Sequence, residues 1–173
     1  MSITGLVFAC IAPHGGEVIP ELAGDDPGRM ATTRAAMEEL GRRMAAANPD
    51  TVVVITPHGI RIDGQICVSV SERAEGALGE VALELNVDQG LANQIADTAT
   101  QHGIPVARAI YGASGGPSCC IPLDWGAIVP LYFMQAPKTV VIVPSRTLPR
   151  TAMVEFGKAL AEAAQQSGKR VAL

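Results

Sequence analysis

Short, continuous apolar runs alternate along this chain with stripes of apolar residues at helical spacing. Residues 5–12 read Gly-Leu-Val-Phe-Ala-Cys-Ile-Ala, as expected of a strand covered on both faces. A loop rich in Gly, Pro and Asp follows to Asp25. Asp26 then has the chemistry of an N-cap, with Pro27 at the first helical position. Met30, Thr33, Met37, Leu40 and Met44 recur at helical spacing, which predicts a helix to about Ala47, stopped by Asn48-Pro49. Thr51 to Ile55 is a second buried strand. Strand, helix and strand over this length make a βαβ unit with parallel strands.

Beyond it, residues 64–71 and 81–87 read as two strands, the second alternating Val81, Leu83, Leu85, Val87. They are expected to pair antiparallel through the Ala74-Glu75-Gly76 region. Asp88 suits the N-cap of a helix to about Gln101, with Leu91, Ile95 and Thr98 on one face and Gly103 as its stop. Residues 104–110 predict a strand, residues 112–117 a loop, and residues 128–131 a short helix or turn. Thr139 to Val143 is a core strand. A helix follows from Arg150 to Gln166, with Met153, Phe156, Leu160 and Ala164 inward. Residues 170–173 begin another strand, either a short edge strand or the first half of a longer one. The fold class is therefore α/β: one domain over residues 1–173, with a central mixed, largely parallel sheet flanked by helices.

Composition narrows this further. Of 173 residues, 48% are hydrophobic and only 3% aromatic, so the core must be aliphatic and the chain globular. The formal charge is -4 with no basic tract, which gives nucleic acid binding little support. The apolar N-terminal run lacks a preceding basic region and reads as a strand, not a leader. No apolar run approaches the ~20 residues of a membrane helix, so a cytoplasmic location is the expectation. Cys10 and Cys67 lie in apolar runs and read as core residues. Cys119-Cys120 are adjacent, where a bridge would be strained.

The chemistry lies in a repeated tripeptide, Pro13-His14-Gly15 and Pro57-His58-Gly59. Each copy closes an apolar run, and ligands in open α/β sheets bind beyond the carboxyl ends of strands. His14 and His58 are thus candidate metal ligands. Imidazole suits Fe(II), Zn(II), Cu and Ni, and a two-His-one-carboxylate face suits either an Fe(II) oxygenase or hydrolytic zinc. Glu17, Glu21, Asp25, Asp26, Asp63 and Asp124 are the nearby or internal carboxylates, and spacing singles out none. The third histidine, His102, precedes Gly103 and reads as a structural end-of-helix residue.

Three segments together carry a resemblance: Ala12-Pro13-His14-Gly15-Gly16, Thr56-Pro57-His58-Gly59, and Leu123-Asp124-Trp125-Gly126 with Ala127-Ile128-Val129-Pro130-Leu131. In order and over essentially the whole chain, they resemble the class III extradiol ring-cleavage dioxygenases. This is the family of the protocatechuate 4,5-dioxygenase β subunit, whose fold the Memo protein shares. The resemblance implies that His14 and His58 bind non-haem Fe(II), with Zn as an alternative ion. It implies a small aromatic diol and O₂ as partners and a third ligand, a glutamate, beyond residue 173. The family's pattern continues past this end, into a Ser-x-Asp-x-Ser-His segment that residues 170–173 would lead into. An incomplete domain would leave a cleft or edge there, compatible with a homodimer. Many members carry histidine where this chain has Trp125, and tryptophan cannot exchange a proton. Trp125, Ser114 and Gly115 are assigned by position to the substrate pocket, with Trp125 able to stack on a ring. The alternative expectation is a Memo-like metal-binding or signalling protein without ring cleavage.

Overall fold

The apolar runs of the sequence become the strands of one sheet. A computed structural model describes residues 4–26 and 28–173. It contains strands β1 (Gly5–Phe8), β2 (Thr51–Ile55), β3 (Ile66–Ser69), β4 (Arg73–Leu78), β5 (Val81–Asn86), β6 (Val106–Ala109), β7 (Cys120–Pro122), β8 (Lys138–Val143) and β9 (Arg170–Ala172). The helices are α1 (Ala31–Ala47), α2 (Gln89–Gln101), α3 (Trp125–Phe133) and α4 (Arg150–Gln166). Two short 3-10 turns, Gly16–Val18 and Pro20–Leu22, follow β1.

Six strands form the main sheet in the order β1-β9-β2-β8-β3-β6, and β5-β4-β7 form a smaller one. In the main sheet only the β3–β8 pairing is antiparallel. Both faces of this sheet are covered, which explains its unbroken apolar strands. Val52 and Val54 of β2 pack with Met37 and Met44 of α1 and Ile128 and Leu131 of α3. Val53 faces the opposite side, in the core built by Leu91 and Ile95 of α2 and Phe156 and Leu160 of α4. Ala74, Val81 and Ile121 of the smaller sheet join the first core.

Several expectations change. β1 stops at Phe8, after an irregularity in its pairing with β9, so residues 9–12 lie outside the strand. Helix α1 begins at Ala31 behind Met30, which offers no side-chain cap; Pro27 lies outside the described residues. The Ala74-Glu75-Gly76 segment is not a turn but part of β4, which pairs antiparallel with β5. β3 instead joins β8 and β6. β9 is an interior strand, inserted between β1 and β2, so the strands of the N-terminal βαβ unit are parallel without being neighbours. Helix α3 is longer than the predicted turn and carries Pro130 within it. All four cysteines are free, and burial pushes the thiols of Cys10 and Cys67 above their ordinary range.

At the amino ends of the strands, Asp88 caps α2 by accepting from the Leu91 N–H at 3.1 Å. It also accepts from Thr51 Oγ1 at 2.6 Å and from Lys169 Nζ at 2.6 and 2.7 Å. This carboxylate is buried. Burial alone would raise its pKa, but the hydrogen bonds of Lys169, Thr51 and Leu91 and the lysine charge outweigh it and hold the group below its ordinary range. A depressed carboxyl contributes stability above its unfolded pKa of ~3.9 and loses it as pH falls through the folded value. Asp88→Asn is therefore expected to cost about 2–3 kcal/mol at pH 7 and to flatten the loss of stability below about pH 4, as read by urea unfolding from pH 3 to 7.

Candidate functional site

Because β1, β9 and β2 are parallel, the chain leaves β1 and β2 at the same edge of the sheet. Both Pro-His-Gly loops open there. The Nε2 atoms of His14 and His58 stand 3.4 Å apart, with ring centroids 5.3 Å apart and planes at 69°. Two nitrogens held at ~2.1 Å from one ion lie about 3.0–3.5 Å apart between right-angle and tetrahedral geometry. The observed separation fits a shared ion as well as a direct N–H···N contact between neutral rings.

The loop of His14 is anchored by Val18 and Ile19, both fully buried just after it. The loop of His58 is held from β2. Thr56, the residue after the strand, is buried; its hydroxyl donates to Asp124 Oδ1 at 2.7 Å and accepts from the His58 N–H at 3.2 Å. Asp124 is the N-cap of α3 and accepts from the Gly126 N–H at 2.7 Å. The end of β2 and the start of α3 are thereby locked together. The Arg61 guanidinium donates to the Pro57 carbonyl and closes the loop.

Two glycines make this approach possible. Gly59 has φ +80°, the left-handed conformation that disfavours other residues. A Cβ on Gly126 would lie 2.6 Å from Thr56 Oγ1 and 3.0 Å from His58 Cδ2, so only glycine lets α3 start against the imidazole. Next to it, the Trp125 indole lies 4.0 Å from the His58 ring, tilted by 34°, and stays 48% exposed. The two rings pack against one another at the start of α3.

Not all predicted site residues meet here. Ser114 and Gly115 lie on the exposed β6–β7 loop, where the neighbouring Gly116 N–H donates to Glu72. Neither lines the cleft beside His14. Glu21 accepts from the Tyr132 hydroxyl, and Asp124 is engaged by Thr56. Asp25, Asp26 and Asp63 are exposed. Among the described residues no three His, Cys, Asp or Glu side chains converge as a metal-holding group. His102 sits at the C-cap of α2 with its Nε2 2.8 Å from Glu162 Oε2, tying α2 to α4. Sequence reasoning named Thr56 and Gly126 within the segments that carry the resemblance but missed their roles, which follow from α3 starting against the His58 loop. The cleft beside His14 measures about 450 Å³ and is walled mainly by apolar residues, including Phe8, Val54, Leu131 and Met134.

The family model described as the catalytic LigB subunit of aromatic ring-opening dioxygenase matches residues 8–173. Protein CA_C1420 of Clostridium acetobutylicum is 26% identical over 140 residues, covering 78% of this chain and 29% of that protein. The chain thus spans less than a third of the length of this curated relative. Among solved structures, 5'-methylthioadenosine/S-adenosylhomocysteine nucleosidase from Helicobacter pylori is 12% identical, with 78% of this chain and 72% of that chain covered and a TM-score of 0.35. Isoform 2 of uridine phosphorylase from Schistosoma mansoni is 14% identical, with 80% and 64% covered and a TM-score of 0.34. Likenesses of this grade carry no argument about the chain.

Adding one methyl group tests the packing at the site. Gly126→Ala is expected to displace the His58 ring, shift the histidine ring signals in NMR spectra, and weaken Zn(II) binding by about tenfold in a calorimetric titration, while unfolding stays cooperative. Unchanged ring signals and affinity would show that the close approach of α3 does not orient the imidazole.

Proposed function

The chain belongs to the family of the catalytic LigB subunit of aromatic ring-opening dioxygenase, and on that premise we propose that it supplies the histidine-bearing domain, residues 1–173, of an Fe(II)-dependent extradiol dioxygenase acting on a catechol-type diol with O₂. The observation that carries this reading is the convergence of His14 and His58, 3.4 Å apart at the carboxyl edge of the sheet. In it, His14 and His58 would hold the metal. Bound Fe(II) offers open positions at which a diol and O₂ can be brought together. Zn(II) fits the same two nitrogens but serves hydrolytic chemistry, so the ion retained decides the reaction class.

The other residues orient and exclude. Thr56 and Asp124 fix the His58 loop through paired hydrogen bonds, with Thr56 accepting from the His58 backbone N–H, and the His58 ring packs against Trp125. Trp125 presents its exposed face for an aromatic ring to stack on. Its indole N–H can donate a hydrogen bond but cannot take up a proton, so proton transfer falls to the diol, to solvent or to a group outside this set. Ile11 and Ile55 expose apolar side chains and border the same cleft as His14, and an apolar-walled cleft suits an aromatic ligand. No helix among the described residues is long and apolar enough to cross a membrane, and we take the cytoplasm as the place of action. No observation of the site favours the Memo-like alternative over ring opening.

The test is metal content by mass spectrometry combined with O₂ uptake on catechol and protocatechuate. Iron bound in the wild-type chain and lost by more than about tenfold in His14→Ala/His58→Ala supports the site, since ligand number sets much of the affinity. Uptake that follows iron content supports the activity. Metal content indifferent to both substitutions would remove the assignment.

A further inference from the structure

Strand β3 reads Ile66-Cys67-Val68-Ser69 and is buried throughout. Alternation along a strand sends its side chains to opposite faces. Ile66 and Val68 join the core beside α2 and α4, so Cys67 and Ser69 face the other way. β8 pairs antiparallel with β3, with Cys67 opposite Val143, and continuing that register sets Ser69 opposite Val141. These four residues, two from each strand, border one small cavity of about 10 Å³, which Ile121, Gly59 and Asp124 also line.

Ser69 is the odd member of this set. It is 2% exposed, and its hydroxyl has no hydrogen-bond partner among the described residues. A buried hydroxyl left dry and unpaired costs stability that an apolar side chain in the same place would not. Buried polar groups are as a rule satisfied by protein or by ordered water. The second polar group at the cavity is the Asp124 carboxylate. It accepts from the Thr56 hydroxyl and the Gly126 N–H, both on Oδ1. Oδ2 lies at the cavity wall: a Cβ on Gly59 would stand 3.0 Å from it and 3.3 Å from Val143 Cγ2. A single water needs about 10–15 Å³ and at least two polar partners. Ser69 Oγ can donate or accept, and Asp124 Oδ2 accepts, so the cavity offers both the room and the partners.

We propose that this cavity binds one structural water, donating to Asp124 Oδ2 and bonded to Ser69 Oγ, and that Ser69 is thereby a positioning residue for the His58 loop. The connection runs from β3 through the water to Asp124, and from Asp124 Oδ1 through the Thr56 hydroxyl to the His58 N–H. It engages the carboxylate on both oxygens, so the start of α3 is tied to the sheet and to the loop at once. A hydroxyl inside an otherwise apolar, fully buried strand then has a use. The service of this relay to a metal site rests on the reading of His14 and His58 given above; the water itself does not, and no metal enters its test.

Two variants, Ser69→Ala and Cys67→Ala, are compared with the wild-type chain by crystallography, thermal unfolding and NMR of His58. The first removes the hydroxyl; the second enlarges the same cavity and keeps both polar partners. The wild type is expected to show a water within hydrogen-bond distance of Ser69 Oγ and Asp124 Oδ2, lost in Ser69→Ala. Ser69→Ala is expected to lower Tm by a few degrees. A dry cavity gives the opposite sign, because the variant would then remove an unpaired hydroxyl. The His58 amide and ring signals are expected to shift in Ser69→Ala and to hold their positions in Cys67→Ala. Electron density without a water between the two groups, or a Tm raised by Ser69→Ala, would overturn the site. His58 signals that move equally in both variants would overturn the positioning role.

Discussion

The parallel alignment of β1, β9, β2 and β8 is the constraint on which the site depends. It sends the ends of β1 and β2 to one edge of the sheet, so two short loops with the same sequence meet there. Had the two strands been antiparallel, one Pro-His-Gly loop would open at the far edge. With β9 between them, β1 and β2 stand about two strand spacings apart, ~9.6 Å. That gap is wide for backbone contact, yet the two facing imidazoles close it to 3.4 Å. The separation of the strands and the reach of the side chains are matched.

The two ends of the same strands are built differently. At the amino ends, Asp88 joins Thr51 at the start of β2, Lys169 before β9 and the first turn of α2. A buried carboxylate held by four hydrogen bonds from three donors is costly to break and gives this end a single register. At the carboxyl ends the corresponding link pairs a carboxylate with a neutral hydroxyl, Asp124 with Thr56. Around it lie glycines, prolines and exposed Ile11, Ile55 and Trp125. An ion pair fixes the amino ends, and a carboxylate bonded to neutral donors holds the carboxyl ends.

Much of this was legible in the sequence because buried parallel strands and amphipathic helices carry strong periodicities. β2, α2 and α4 fall where the pattern sets them. The misses have physical reasons. Gly76 looked like a turn residue, but it is a strand residue where a Cβ would come 2.6 Å from the Leu123 carbonyl; close approach and turning ask for the same amino acid. β7 is three residues long and ends in proline, too short to show alternation. The interior position of β9 depends on pairing across the whole chain, and no local pattern encodes it. Of the site, the two histidines and Trp125 were visible as residue types at strand and helix ends. The roles of Thr56 and Gly126 were not, since they follow from one helix starting against one loop. Ser114 and Gly115 were chosen by position in a glycine-rich loop, and that loop is drawn to Glu72.

Asp124 shows how a carboxylate beside the histidine pair is put to structural use. As an internal carboxylate near the site it had the right chemistry for a ligand, yet Oδ1 is occupied by Thr56 and the Gly126 N–H. Its work is to hold the loop of His58 in place. Two neutral imidazoles leave the charge of a divalent ion uncompensated, and affinity rises steeply with the number and charge of ligands.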